Sequence, residues 1–178
     1  MKQAHKGRSK LILVLGGAAS GKSQAALDLA GQVGPRAFLA TGQALDQEMK
    51  VRIERHQATR SSDWQTAEVP IDIAKWCIDN GKTYQTIVID CLTLWLSNLR
   101  RPRLRDIAVF EATADLLQAI RTTRARVVIV SNELGLGLVP ATKVVRAFRD
   151  LAGKVNQQVA AEADEVYLTI SGLPLRVK

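Results

Sequence analysis

The chain has few of the residues on which disulfide-rich, zinc-binding and nucleic-acid-binding proteins depend. Its 178 residues include two cysteines, Cys77 and Cys91, and two histidines. The cysteines form no C-x-x-C pair and have no metal-ligand spacing, which argues against a disulfide framework and a zinc site and favours a reducing cytoplasm. Aromatic residues make up 4% of the chain, so few rings are available to stack on nucleic-acid bases.

Long apolar runs are absent as well. The basic segment 1–10 is followed by five apolar residues before Gly16, and such a run is too short for a signal peptide or a membrane span. We therefore expect a cytoplasmic protein with no membrane span. Residues 1–10 are predicted to be a flexible basic leader, and residues 11–178 a single nucleotide-binding catalytic domain with a sizeable core.

The formal net charge of +8 is concentrated in two stretches of the sequence. Four positive charges lie in the leader and four more in residues 100–105, Arg-Arg-Pro-Arg-Leu-Arg. Both stretches are typical of solvated loops or tails, so we predict no nucleic-acid partner. A basic protein is nevertheless well suited to polyphosphate ligands.

A G-x-x-x-x-G-K-S motif follows the first apolar run and precedes a helical pattern. In P-loops of this kind the backbone N–H groups surround phosphate oxygens at a helix N-terminus. Lys22 is expected to reach the outer phosphates and Ser23 to hold Mg²⁺. The predicted phosphate-binding residues are Gly16, Gly17, Ala18, Ala19, Ser20, Gly21, Lys22 and Ser23.

Strand and helix patterns alternate along the chain. Strands are predicted over 11–15, 36–40, 64–69, 86–90, 126–130, 165–170 and 173–177, and helices over 22–32, 45–56, 70–81, 92–99, 106–123 and 141–163. This order predicts an α/β fold, a P-loop NTPase-type three-layer sandwich with a mostly parallel central sheet and helices on both faces. Ligands of such sheets bind at the carboxyl ends of the strands.

Several polar residues follow these predicted strands and helices. Asp90 ends an apolar strand, as a Walker B carboxylate does, and is expected to bind Mg²⁺ beside Ser23. Glu133 ends another strand, before a Gly-Leu-Gly loop that could contact a substrate. His56 lies among Arg52, Arg55 and Arg60. It is either a structural histidine or a nucleophile that attacks a phosphorus centre.

Six segments in this order resemble one known family. They are the P-loop, Ala-Thr-Gly-Gln at 40–43, Arg-Ile-Glu-Arg-His at 52–56, Asp-Cys-Leu-Thr-Leu-Trp at 90–95, Asn-Glu-Leu-Gly at 132–135 and Phe-Arg-Asp-Leu-Ala-Gly-Lys-Val-Asn-Gln at 148–157. Over residues 11–178 the chain resembles the bifunctional adenosylcobinamide kinase/adenosylcobinamide-phosphate guanylyltransferase family of cobalamin (vitamin B12) biosynthesis.

The resemblance implies two successive reactions. A nucleoside triphosphate, ATP or GTP, phosphorylates the aminopropanol hydroxyl of adenosylcobinamide, and GTP then donates GMP to that phosphate. It further implies that His56 carries GMP, that Lys22 is catalytic, that Mg²⁺ is required and that the protein is a homo-oligomer, specifically a homotrimer. The nucleotide contacts it implies beyond the P-loop are Thr41, Gly42, Gln43, Gln57, Ala58, Thr59, Arg60, Glu68 and Asp90.

Three positions depart from the usual family pattern. Ala19 and Gln24 stand where basic residues are common, and Ser61 stands where proline is common. The loss of two phosphate partners bears more on triphosphate binding by the kinase half than on guanylyl transfer. Two other functions fit the P-loop: a monofunctional small-molecule kinase without covalent guanylylation, and a nucleotide-dependent regulatory module. Asp90 and Glu133 are both candidates for the base of the kinase step.

Overall fold

A computed structural model describes residues 9–58, 61–100 and 105–178, with the side chains of all of these except 52 and 55–58. Within them the chain forms seven strands and six α-helices. The strands are β1 (Lys10–Gly16), β2 (Arg36–Ala40), β3 (Trp64–Glu68), β4 (Thr86–Asp90), β5 (Arg126–Asn132), β6 (Glu165–Ile170) and β7 (Leu173–Arg176). The helices are α1 (Lys22–Ala30), α2 (Gln47–Ala58), α3 (Ile73–Asn80), α4 (Leu92–Arg100), α5 (Asp106–Thr123) and α6 (Lys143–Glu162).

One seven-stranded sheet runs through the molecule in the order β3-β2-β4-β5-β1-β6-β7. All neighbouring strands are parallel except β7, which pairs antiparallel to β6. The α/β fold with a mostly parallel sheet is therefore confirmed. The P-loop strand β1 is separated from β4, which ends in Asp90, by the intervening strand β5.

Alternate residues of the central strands bury against opposite faces of the sheet, as the two-residue period of a strand requires. Leu11 and Leu13 of β1 pack with α3, α4, α5 and α6 on one face. Ile12 and Val14 pack with α1 on the other face. The helices thus cover both faces, and the edge formed by the strands' carboxyl ends is left for ligands.

Several element boundaries differ from the sequence-based expectations. α1 stops at Ala30 because Gly31, with φ +75°, ends it. α3 begins at Ile73 after Asp72 rather than at Pro70, and α6 begins at Lys143, where the Thr142 hydroxyl caps the Val145 amide. β1 begins at Lys10, the last residue of the predicted leader. No helix in the described parts of the chain is long and apolar enough to cross a membrane.

Candidate nucleotide-binding site

The P-loop motif connects β1 to α1, as its sequence context predicts. Gly21 precedes the helix with φ +86°, a left-handed conformation that glycine adopts at little cost, and Ala19 has φ +53°. The Lys22 ammonium donates a hydrogen bond to the carbonyl of Gly17 at 3.0 Å. Lys22 therefore lies over the loop, where a bound phosphate would replace that carbonyl as its partner.

The turn between β6 and β7 packs against the P-loop. The Gly172 amide donates to the Ser20 carbonyl at 2.8 Å. A Cβ on Gly21 would lie 3.0 Å from the Gly172 Cα, and one on Gly16 would lie 2.9 Å from the Thr169 carbonyl oxygen. The glycines of the motif thus permit close packing against this turn as well as the approach of phosphate.

The carboxyl ends of β3, β2 and β4 form a row in register. Ala40 pairs with Glu68 on one side and with Asp90 on the other, and Asp90 pairs with Val130. Glu68 is exposed and Asp90 is half-buried. Two carboxylates predicted to act on the nucleotide therefore lie at the same edge of the sheet, two strands apart.

Thr41 joins the ends of β2 and β4. Its side chain is fully buried, and its hydroxyl donates to the Cys91 carbonyl at 2.8 Å and accepts from the Cys91 amide at 2.7 Å. The Asn98 side chain in turn donates to the Thr41 carbonyl at 2.8 Å. This arrangement fixes the backbone that carries Asp90, a task that the sequence motif alone did not suggest.

Cys91 is too strongly buried to act as a nucleophile. Burial, assisted by the neighbouring Asp90 carboxylate, raises the pKa of its thiol to about 12, against a smaller lowering effect of Lys22. The thiol therefore stays protonated at neutral pH.

A polar network supports the end of β5 and ties it to the P-loop. The Ser131 hydroxyl donates to the Asn156 side chain at 2.7 Å, and that side chain donates to the Asn132 carbonyl at 3.1 Å. The Glu133 amide donates to the Gly16 carbonyl at 3.0 Å. Asn156 is 4% exposed, and its hydrogen bonds position the end of β5.

Two clefts open near this edge. One, of about 490 Å³, lies between the end of β5 and α6, and its lining includes Glu133, Arg149, Asp150, Gly153, Lys154 and Gln157. The other, of about 300 Å³, lies between α2 and α4, and its lining includes Gln43, Met49, Leu94 and Ser97. The first gathers most of the polar residues of the 148–157 motif.

α2 carries His56, Gln57 and Ala58 in its last turn, while their side chains lie outside the described residues, as do Thr59 and Arg60. The predicted arginine cluster of 52, 55 and 60 lies outside them for the same reason. α2 is fixed near Gly42, where an added Cβ would lie 3.3 Å from Leu94 and 3.8 Å from Ile53. Ile53 of α2 thus lies beside Gly42 at the sheet edge, while the tighter contact of an added Cβ would be with Leu94 of α4.

Comparison with solved structures defines the class of protein. The fold is similar to that of a KaiC-like protein from Pyrococcus horikoshii, with a TM-score of 0.53, 11% identity, and coverage of 90% of this chain and 71% of that one. It is also similar to the P4 protein of bacteriophage phi6 in complex with ADP, with a TM-score of 0.51, 18% identity, and coverage of 93% and 52%. Together with the P-loop geometry, these likenesses define a P-loop NTPase fold.

Residues 12–177 match the family model described as cobinamide kinase / cobinamide phosphate guanyltransferase, and the chain belongs to that family. It is 38% identical to the bifunctional adenosylcobalamin biosynthesis protein CobU of Salmonella typhimurium, over 94% of this chain and 99% of that protein. It is 39% identical to the bifunctional adenosylcobalamin biosynthesis protein CobP of Pseudomonas aeruginosa, over 93% and 96%. The family resemblance of the sequence motifs is thereby confirmed.

Proposed function

We propose that this protein phosphorylates adenosylcobinamide with a nucleoside triphosphate and then transfers GMP from GTP to adenosylcobinamide phosphate. The products of the second reaction are adenosylcobinamide-GDP and pyrophosphate. The observation that carries the proposal is the family match over residues 12–177. The P-loop that precedes α1 supports it, because both reactions begin with a bound triphosphate.

In the kinase step the substrate hydroxyl oxygen attacks the γ-phosphorus, and the nucleoside diphosphate leaves. Lys22 exchanges the Gly17 carbonyl for phosphate oxygens and balances their charge. Asp90 ends β4 and Glu133 directly follows β5, and these carboxylates are the candidate acceptors of the hydroxyl proton. Phosphoryl transfer depends more on positioning than on a strong base, so either carboxylate suffices.

In the guanylyl-transfer step a nitrogen of His56 attacks the α-phosphorus of GTP, forms a P–N bond and releases pyrophosphate. An oxygen of the acceptor phosphate then attacks the same phosphorus, and the P–N bond breaks. The packing of α2 at Gly42 supports this role, because it keeps the helix that carries His56 at the sheet edge. Thr41, Gly42, Gln43, the segment 57–60 and Glu68 are the proposed guanine-nucleotide contacts. The Glu68 carboxylate can accept hydrogen bonds from guanine N1 and N2.

Ser23 and Asp90 are the proposed Mg²⁺ ligands. Their hydroxyl and carboxylate oxygens are the hard donors that Mg²⁺ prefers, and both residues are only partly buried at the phosphate-binding edge. The residues present therefore fit the ion, which when bound neutralises phosphate charge. On the basis of the family resemblance, we further propose that the protein is cytoplasmic and forms a homotrimer. A solution mass equal to that of three chains would support the trimer.

Covalent labelling tests the histidine mechanism. The protein is incubated with GTP and Mg²⁺, and its intact mass is measured at neutral and acidic pH. We expect an adduct of one GMP that is lost in acid, because a P–N bond to imidazole is acid-labile. We expect no adduct on His56→Ala, and a weakened reaction in Lys22→Ala.

His5→Ala is the matched control, since it leaves His56 as the chain's one histidine and should keep the adduct. A folded, GTP-binding protein that forms no adduct would point instead to the kinase without covalent guanylylation. Rapid turnover of the corrinoid substrate would exclude the regulatory module.

A further inference from the structure

We propose that the cleft between the end of β5 and α6 binds the aminopropanol arm of the corrinoid, as the alcohol before the first reaction and as the phosphate monoester after it. We call it the acceptor cleft. Its lining includes Glu133, Arg149, Asp150, Gly153, Lys154 and Gln157. The inference rests on the proposed function for the identity of the acceptor.

The position of the acceptor cleft suits a group that reacts with a bound nucleotide. Glu133 lines the cleft, and its backbone amide donates a hydrogen bond at 3.0 Å to the carbonyl of Gly16, the first residue of the P-loop motif. Leu15 of β1 also lines it. An arm held in the cleft would therefore have its reactive oxygen at the edge where the P-loop presents phosphates.

The charges of the acceptor cleft suit both forms of the arm. Arg149 and Lys154 supply two cations for a phosphate monoester, which binds arginine and lysine through charge-assisted hydrogen bonds. The guanidinium of Arg149 lies 3.8 Å from the Asp150 carboxylate, its Nε facing Oδ1. Glu133 and Asp150 can accept hydrogen bonds from the alcohol and from corrinoid amides.

Gly153 provides an independent indication of a ligand. It lies within the 20-residue helix α6, where glycine is less favourable than alanine. Apart from its chain neighbours and the nearby backbone of α6, nothing in the described residues lies within 4 Å of the position that its Cβ would occupy, so packing against the rest of the chain does not require a glycine. A ligand that approaches the helix surface between Arg149 and Lys154 would account for a glycine at this position.

The volume of about 490 Å³ has room for the phosphorylated arm, whereas a corrin macrocycle with its adenosyl ligand is much larger. The macrocycle therefore remains outside the cleft. The same two cations could alternatively bind phosphates of the donor nucleotide. The experiment is chosen to separate these two sources of phosphate.

The test compares Arg149→Ala, Lys154→Ala and the unchanged protein in two assays. The first is the KM for adenosylcobinamide phosphate in guanylyl transfer, which we expect each variant to raise about tenfold to a hundredfold, the effect of losing one charge-assisted hydrogen bond. The second is GMP-adduct formation from GTP without an acceptor, which we expect to be unchanged. Lys143→Ala, on the same helix outside the cleft lining, is the control and should match the unchanged protein in both.

The variant Gly153→Ala separates an effect on acceptor binding from an effect of misfolding. Alanine favours the helix and should raise the thermal unfolding midpoint, yet its methyl group should raise the KM for the acceptor. Direct binding of 1-amino-2-propanol phosphate, measured by calorimetry without nucleotide, should be lost in Arg149→Ala and Lys154→Ala.

Three results with Arg149→Ala and Lys154→Ala would overturn the inference. They are an unchanged KM for the acceptor, a raised KM that is accompanied by loss of GMP-adduct formation, and retained binding of 1-amino-2-propanol phosphate by both variants. A protein that forms no GMP adduct at all would refute the proposed guanylyl transfer. Probe binding would still decide whether the cleft takes a phosphorylated arm.

Discussion

At the scale of single residues, Thr41 shows that a residue in a sequence motif can stabilise the backbone around a site. The resemblance of residues 40–43 to the family implies a nucleotide contact for Thr41, and that contact stays a prediction. The structure gives the hydroxyl two partners on Cys91 and the carbonyl one partner on Asn98. Its polar groups therefore hold the ends of β2 and β4 together.

Replacement of Thr41 by valine should destabilise the protein by about 2–4 kcal/mol, because the same shape is kept while the buried amide and carbonyl of Cys91 lose a partner. The free energy of unfolding, measured in urea, tests this. Thr83→Val, at an exposed position, is the matched control and should change stability by less than about 0.5 kcal/mol. Equal effects of the two substitutions would contradict the role assigned to Thr41.

Residues whose chemistry is local to a motif could be predicted from the sequence, and residues defined by distant partners could not. Lys22 lies on the P-loop and Asp90 ends an apolar strand, as expected. Asn156 belongs to the 148–157 segment that resembles the family, and its link to Ser131 and Asn132 depends on how α6 packs on the sheet. No local pattern records such a contact.

At the scale of secondary-structure elements, the β6–β7 turn supports the loop that binds phosphate. Gly172→Ala places a Cβ on a residue with φ +83°. We expect the free energy of unfolding to fall by about 1 kcal/mol or more. We also expect a several-fold weaker affinity for GTP, because a shift of the turn would disturb the hydrogen bond from the Gly172 amide to Ser20. Calorimetric titration with GTP measures the second effect.

Gly31→Ala is the matched control for this substitution. Gly31 also has a positive φ, +75°, and nothing within 4 Å of an added Cβ, but it lies at the far end of α1. It should lose stability without losing GTP affinity. If both variants bind GTP as the unchanged protein does, the turn does not position the P-loop.

Strands and some helices were predicted closely because their residue patterns are strong. β2, β4, α5 and β6 have the predicted bounds, since runs such as Thr-Ile-Val-Ile-Asp favour a buried parallel strand. Helix starts were less accurate. Asp72 and Thr142 are the N-cap residues of α3 and α6, and aspartate and threonine favour that position just before a helix, which places each start after the predicted proline or alanine.

At the scale of the whole molecule, the sequence predicted a parallel sheet but not its strand order. Alternating strands and helices specify parallel neighbours, whereas the insertion of β5 between β1 and β4 depends on which crossovers pack best. This order decides which residues lie beside the P-loop, because it brings Asn132 and Glu133 next to Gly16. It therefore creates the acceptor cleft.

Stability should depend on pH through Glu165, which links β1 to the β6–β7 hairpin. A hydrogen bond from Lys10 at 2.6 Å, together with one from Tyr167, lowers the pKa of its carboxyl despite partial burial. A lowered folded-state pKa stabilises the protein above the usual glutamate pKa, and this contribution is lost as the pH falls through the folded-state value.

Glu165→Gln should therefore be less stable than the unchanged protein at pH 7, by about 1 kcal/mol or less, and the difference should shrink at acidic pH. Urea unfolding at both pH values measures it. Glu111→Gln, at an exposed position of α5, should show no such difference. A gap between Glu165→Gln and the unchanged protein that stays constant with pH would contradict the assignment.

The hydrogen bond between Gly172 and Ser20 has a consequence for the order of events during synthesis. The P-loop motif occupies eight consecutive residues, but the turn that supports it lies about 150 residues further along the chain. A ribosome that has made the motif must add all of those residues before the support exists, and contacts between such distant positions form late in folding. The P-loop of the nascent chain therefore stays without this hydrogen bond until β6 and β7 have left the ribosome.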